Sequence, residues 1–148
     1  MMDLLLDTHV AIWWMEGSDR LGSRCKATLF RPGARLWIST ASVWEMAIKS
    51  GLGRLKLSTP LDECIPDLFA RGALCLPISL NHALAVRTLP PHHADPFDRM
   101  LIAQAHCENL TLVTADSLIR AYDVRTLDAA AYPPPCIFPL TSSRFSTN

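Results

Sequence analysis

Along the chain, short apolar runs alternate with longer stretches whose apolar positions recur every three or four residues, the pattern of buried strands alternating with helices. Residues 2–6 form a strand-length run, and a helix over 8–15 follows with no turn between. Gly17-Ser18-Asp19 breaks that helix, and a second helix over 21–30 is stopped by Pro32-Gly33. A strand over 35–38 leads into a helix over 40–50. Ser39 and Thr40 offer its caps, and Ala41, Trp44 and Ile48 share the face expected to enter the core. Residues 61–70 read as helix, 74–78 as strand, and 81–88 as a short helix closed by Pro90-Pro91. Asp95-Pro96-Phe97-Asp98 is a helix start, with Asp95 at the N-cap and Pro96 at the first helical position. The helix it opens runs to about Glu108 and is apolar on most sides, which predicts burial. A fourth strand over 110–114, a short helix over 116–122 and a fifth strand over 124–127 complete the pattern.

Strands of this length alternating with helices predict an α/β fold: a three-layer α/β/α sandwich around a mostly parallel sheet of four or five strands. From Ala129 the character changes to a run of alanines, then Tyr132-Pro133-Pro134-Pro135 and a Ser/Thr-rich end. Consecutive prolines neither continue a helix nor join a sheet interior. Residues 1–128 are therefore expected to form the domain, and residues 129–148 an extended or disordered tail.

With 148 residues, 49% of them apolar and 19% charged, the chain has the make-up of one globular domain rather than a disordered polymer. Lys+Arg and Asp+Glu each number 14, so the net charge is zero. This excludes a protein that coats nucleic acid by charge alone, but not one that touches it at a local site with modest, metal-dependent affinity. No apolar run approaches the roughly 18 residues of a membrane span, and acids flank the short N-terminal apolar run where a signal peptide carries bases. Cysteines at 25, 64, 75, 107 and 136 are scattered and form no Cys-x-x-Cys pair. A zinc-finger framework is excluded, and free thiols in a reducing cytoplasm are expected.

Four acids fall at element junctions. Asp7 closes the first strand, and Glu45 lies in the first turns of the helix after the second. Asp98 lies in the first turn of the long apolar helix, and Asp116 just beyond the fourth strand. Parallel α/β sheets bind ligands at the carboxyl ends of their strands, so all four are placed to meet at one edge. Each also has an ordinary role. Asp7 and Asp116 suit N-caps, Asp98 complements the helix dipole, and Glu45 suits a pair with Lys49 or a capping box with Ser42. The apolar flanks Leu4-Leu5-Leu6, Val43-Trp44 and Leu110 to Val113 argue for more, because a solvated cap needs no such dry surroundings.

Two carboxylates ~5 Å apart repel by about 3 kcal/mol at an effective dielectric near 20. Four acids make six pairs, a load that rivals a domain's whole stability of roughly 5–15 kcal/mol. Protonation or a divalent cation must relieve it. Oxygen-only ligation suits Mg²⁺ or Mn²⁺, and no His or Cys is expected to join the set. His92 and His93 are loop neighbours that point apart, so a shared metal is not expected. Of the tryptophans, Trp13 and Trp14 cannot both face inward, which predicts one at the surface or under a partner.

Four segments then carry a family resemblance. They are Leu4-Leu5-Leu6-Asp7-Thr8-His9, Ile38-Ser39-Thr40-Ala41-Ser42-Val43-Trp44-Glu45, His93-Ala94-Asp95-Pro96-Phe97-Asp98-Arg99-Met100-Leu101-Ile102-Ala103-Gln104-Ala105, and Leu112-Val113-Thr114-Ala115-Asp116. In that order, over about residues 2–128, they resemble the PIN-domain ribonucleases, and most of all the toxins of VapBC-type toxin–antitoxin pairs. The family's acids fall on Asp7, Glu45, Asp98 and Asp116, with none lost.

The resemblance implies a Mg²⁺-dependent endoribonuclease that leaves 5′-phosphate and 3′-hydroxyl ends. It makes Asp7, Asp98 and Asp116 the primary metal ligands, and gives Glu45 a second metal or the orientation of the water. Supporting roles fall to Thr8, Thr114 and Asp95 beside the ligands, and to Arg99 as a phosphate contact; each has a plainer reading as a cap or a surface ion pair. The implied partners are an RNA substrate, a VapB-type antitoxin whose C-terminal segment fills the acidic groove, and a second copy in a homodimer. The alternative is a catalytically silent PIN-like module that binds RNA or protein. A receiver domain fails for want of a second acid beside Asp7 and of any lysine beyond Lys56, and a haloacid-type phosphatase fails because Asp7-Thr8-His9 is not Asp-x-Asp.

Overall fold

The computed structural model describes residues 2–130. Five strands, β1 (Met2–Leu6), β2 (Ala34–Ser39), β3 (Leu74–Leu76), β4 (Thr111–Thr114) and β5 (Thr126–Asp128), form one sheet in the order β3-β2-β1-β4-β5. Every neighbouring pair is parallel. The helices are α1 (Thr8–Glu16), α2 (Ser23–Leu29), α3 (Thr40–Gly51), α4 (Leu61–Ala70), α5 (Leu80–Ala85) and α6 (Pro96–Glu108), with 3₁₀ turns at Val86–Thr88 and Ile119–Ala121.

Side-chain alternation along the strands splits the apolar residues into two cores. Leu4, Leu6, Leu36, Ile38 and Val113 pack with Val10 and Ala11 of α1, Cys25 and Leu29 of α2 and Leu68 of α4. Leu5, Leu76 and Leu112 pack with Ala41 of α3 and with Leu101, Ile102 and Ala105 of α6. One sheet with a core on each face is the predicted three-layer arrangement. It also explains why Leu4, Leu5 and Leu6 are apolar without interruption: a central parallel strand is covered on both sides.

The chain builds outward from β1 to β2 to β3, then returns past β1 to lay β4 and β5 on its other flank. The strand order reverses between β1 and β4, and the crevice beyond their carboxyl ends is where such sheets bind ligands. Asp7 follows β1 and Asp116 follows β4 at that reversal.

Several predicted details are corrected. The helix predicted over 21–30 starts only at Ser23, because Gly22 donates its N–H to Ala129 O and Leu21 bridges Ala130. Ala129, assigned to the tail, is thus fully buried in the fold; residues 131–148, the rest of that tail, lie outside the described residues. The helix predicted over 116–122 shrinks to the 3₁₀ turn at Ile119–Ala121. There Asp116 Oδ1 accepts the Leu118 N–H, a local turn that competes with a regular helical start.

Trp44 is 60% exposed and Ile48 is 39% exposed, where both were expected in the core. The buried face of α3 carries Ala41, Ser42, Glu45 and Met46 instead, so the side of this helix that faces inward is partly polar and hydrophobicity misreads it. Trp13 and Trp14 are both half-buried against one core, so neither stands apart at the surface. Among the described residues, Cys25, Cys64, Cys75 and Cys107 are free thiols, and no helix is long and apolar enough to cross a membrane.

Candidate active site

The last residue before α1 is pinned to the reversal point by backbone. Asp7 N–H donates to Val113 O at 3.0 Å, which extends the β1–β4 pairing by one residue. The Asp7 side chain, 3% exposed, caps α1 through a long 3.4 Å contact from His9 N–H to Oδ1. Its Oδ2 accepts the Thr114 hydroxyl at 2.6 Å, and that hydroxyl accepts Asp116 N–H at 3.0 Å. One Thr114 hydroxyl therefore joins Asp7 and Asp116. Thr8 stands one step further out: its hydroxyl donates to Ser42 Oγ at 2.9 Å and ties the start of α1 to α3.

Ser39, not Ser42, caps α3, accepting Ala41 N–H at 2.9 Å, so the Ser42–Glu45 capping box does not form. The pair with Lys49 does. Lys49 Nζ lies 2.6 Å from Glu45 Oε2, one turn along the helix. The Glu45 side chain is only 4% exposed, and among the described residues its Oε1 has no hydrogen-bond partner. A buried carboxylate oxygen left unpaired is costly unless something else faces it.

The start of α6 is as predicted. Asp95 Oδ1 accepts Phe97 N–H at 2.8 Å and Asp98 N–H at 3.2 Å, so this side chain is the N-cap. Its own N–H donates to His93 Nδ1 at 3.1 Å. His93 Nε2 lies 2.8 Å from Asp116 Oδ2 and 3.0 Å from Asp98 Oδ2. No histidine was expected as a ligand beside the acids, yet His93 lies among them: among the described residues, His93, Asp98 and Asp116 form a compact set whose ligand atoms lie within 4.8 Å of one another. The hint in the sequence was position. His93 heads the segment of α6 that carries the resemblance, and loop residues just before an N-cap lie beside the first helical turn. His92 does point apart, with its ring edge-on to Tyr122 at 5.0 Å.

Among the described residues Arg99 forms no ion pair with an acid. Its guanidinium donates to the carbonyls of Val86, Leu89, Pro90 and His93 and to Tyr122 Oη, at 2.9–3.3 Å. Tyr122 Oη in turn donates to Pro90 O and accepts His93 N–H, each at 2.8 Å. The two side chains clasp the loop that presents His93, and sequence reasoning missed this because every acceptor but one is backbone.

The charges of the cluster act on one another. Burial, helped by the neighbouring charges of Asp7 and Asp95, pushes the Asp98 carboxyl up to about 7; His93 opposes this and Glu45 adds to it. Burial also raises Asp7, against the Thr114 hydrogen bond. The hydrogen bond to Glu45 raises Lys49, and Asp95 and Asp98 push it the same way. Acids from the junction of β1 and α1, from α3 and from α6 thus share one crevice, with Asp116 joined to it through Thr114 and His93. Excess negative charge, oxygen donors and the unpaired Glu45 Oε1 fit a hard divalent cation.

The sequence profile of the PIN domain family matches residues 4–125. A Mycobacterium tuberculosis protein named Ribonuclease VapC22 is 29% identical over 123 residues, which cover 82% of this chain and 93% of its own. Among solved structures, VapBC2 from Rickettsia felis, bound to a DNA fragment from its promoter, superposes with a TM-score of 0.65. That match has 16% identity and covers 85% of this chain and 98% of the other. VapBC-1 from nontypeable Haemophilus influenzae superposes at 0.59, with 22% identity over 86% of this chain and 98% of its own.

Proposed function

The chain belongs to the PIN domain family, and from that footing we propose that it is a divalent-metal-dependent endoribonuclease acting as the toxin of a VapBC-type toxin–antitoxin pair. The observation that carries the reading is the gathering of buried and half-buried acids from separate elements at the β1–β4 reversal, where among the described residues one carboxylate oxygen has no partner. Asp7, Asp98 and Asp116 are the proposed ligands of Mg²⁺ or Mn²⁺, with Glu45 completing the set. A bound cation of this kind polarises a phosphate and lowers the pKa of a water ligand. The chain's own part is to hold the acids in place: Thr114 fixes Asp7, Asp95 caps the helix that carries Asp98, and Lys49 neutralises one oxygen of Glu45. Water adds to phosphorus as the P–O3′ bond breaks, leaving a 5′-phosphate and a 3′-hydroxyl. The relative named a ribonuclease and the VapBC complexes among the structural neighbours support RNA as substrate and a VapB-type antitoxin as partner.

The test is incubation of the full chain with total cellular RNA in Mg²⁺, with and without EDTA. Cleavage that EDTA stops, and that Asp7→Asn and Asp98→Asn abolish while remaining folded, is the expected result. Cleavage that survives both substitutions, or a wild type silent in Mg²⁺ and Mn²⁺, overturns it and leaves a binding module. A homodimer and a cytoplasmic setting are proposed with this function. The dimer is supported by the apolar face where Trp44, Ile78 and Phe97 line a cavity of about 420 Å³ and α5 exposes Leu80 and Leu84.

A further inference from the structure

We infer that His93 is a positioning residue for this site: as its Nε2–H tautomer it holds the Asp116 carboxylate beside that of Asp98, and it does not itself ligate the cation. The argument is one of proton inventory. A backbone N–H can only donate, so the 3.1 Å contact from Asp95 N–H to His93 Nδ1 claims the lone pair of that nitrogen. The ring proton of the neutral imidazole then sits on Nε2. That nitrogen donates to Asp116 Oδ2 at 2.8 Å, and the Asp98 Oδ2 lies 3.0 Å from it as a close polar contact. Neither nitrogen keeps a lone pair for a metal, although the distances alone allow ligation.

The rest of the residue is equally constrained. Its side chain is 10% exposed, its N–H donates to Tyr122 Oη, and its carbonyl accepts from Arg99. The backbone of this residue is held at both ends, and the bonds at Nδ1 and Nε2 fix the ring's own torsions. Asp116 is fixed as a consequence, with Oδ1 on Leu118 N–H and Oδ2 on His93. Two carboxylates that repel one another face the same N–H, which bonds one and lies against the other, and outer partners of this kind orient ligands before the ion arrives.

The inference rests on the cation reading given above, and two measurements separate the two. In metal-free protein, ¹⁵N-resolved NMR of the histidine rings, assigned by the signal lost in His93→Gln, is expected to show the Nε2–H tautomer; an Nδ1–H tautomer overturns the inference whatever the metal does. Free Mn²⁺ counted by electron paramagnetic resonance then gives affinities for the full chain and two variants. His93→Asn keeps an acceptor near Asp95 N–H but offers no donor to the acids, and weakens Mn²⁺ binding about 10–100-fold. His93→Gln restores an N–H near the Nε2 position and stays within about threefold of wild type, the difference that marks an orienting partner and not a loop prop. Equal affinity in all three overturns the role of His93 while leaving the cation reading intact. Spin-echo modulation from a coordinated imidazole nitrogen in wild type also overturns it, by making His93 a ligand. A wild type that takes up no Mn²⁺ overturns both.

Discussion

Thr114 and Asp7, 107 residues apart in the chain, meet through a 2.6 Å hydroxyl–carboxylate hydrogen bond across the point where the strand order reverses. The same hydroxyl accepts Asp116 N–H, so one oxygen fixes two acids. Thr114→Val is nearly isosteric and removes both bonds. It is expected to cost about 1.5–3 kcal/mol in urea unfolding, the range for a hydrogen bond to a charged group. The Asp7 carboxyl, which this bond holds down against burial, rises further, so more Mg²⁺ is needed for RNA cleavage. Thr114→Ser is expected to retain most of both properties. A Thr114→Val protein with unchanged Mg²⁺ dependence contradicts the coupling.

Asp98 makes stability depend on pH in an unusual direction. Its carboxyl sits at about 7 when folded, against 3.8 for the ordinary group. Between those values the folded chain keeps a proton that the unfolded chain has released, so stability is greatest at the acid end and is lost as pH rises through about 7. Asp7, also raised, acts in the same sense. Thermal melts of the metal-free protein are expected to fall from pH 5 to pH 8. Asp98→Asn should flatten that slope and melt higher than wild type at pH 8, and Mg²⁺ should flatten it for wild type. A slope untouched by Asp98→Asn argues against this origin.

Lys49 is the cation that the chain itself supplies to the acids. Lys49→Met leaves a 4% exposed Glu45 side chain with neither oxygen paired among the described residues. Loss of about 1–3 kcal/mol is expected, discounted from a fully buried pair because the Lys49 side chain is 40% exposed. Mg²⁺ should raise the melting temperature of this variant more than that of wild type, since the ion replaces the missing charge. Equal Mg²⁺ shifts in the two proteins would falsify that exchange.

Arg99 separates a loop clasp from a substrate contact. A lysine ammonium cannot reproduce a planar fork spread over five acceptors. Arg99→Lys is expected to lower stability by about 2 kcal/mol, on the scale of two net hydrogen bonds. In the folded variant kcat falls because the loop carrying His93 loosens, while KM for RNA stays near wild type. A raised KM with unchanged stability would instead place Arg99 on phosphate.

Trp44 tests the proposed dimer. It is 60% exposed, and its ring packs edge-on to Phe97 at 5.2 Å. Light scattering after gel filtration is expected to give a dimer for wild type and a monomer for Trp44→Glu, with the circular dichroism of the two alike. A monomeric wild type removes this part of the reading.

Local order was legible in the residues because its causes are local. An unbroken Leu4-Leu5-Leu6 run predicted a strand covered on both faces, and Asp95-Pro96 predicted a helix start. Caps and periodicity involve neighbours within one turn, so no knowledge of the fold was needed. The order of the acids along the chain was visible for the same reason. What the order could not show was distance. Whether Asp7 lies beside Thr114 depends on β4 returning to the flank of β1, a choice among strand orders that every short strand permits alike. The burial of Ser42 and Glu45 in place of Trp44 and Ile48 follows from where α3 lands, against its own hydrophobic pattern. His93 and Arg99 acquire their roles from backbone groups and acids brought near by the folding of a loop, and backbone atoms leave no mark in a sequence.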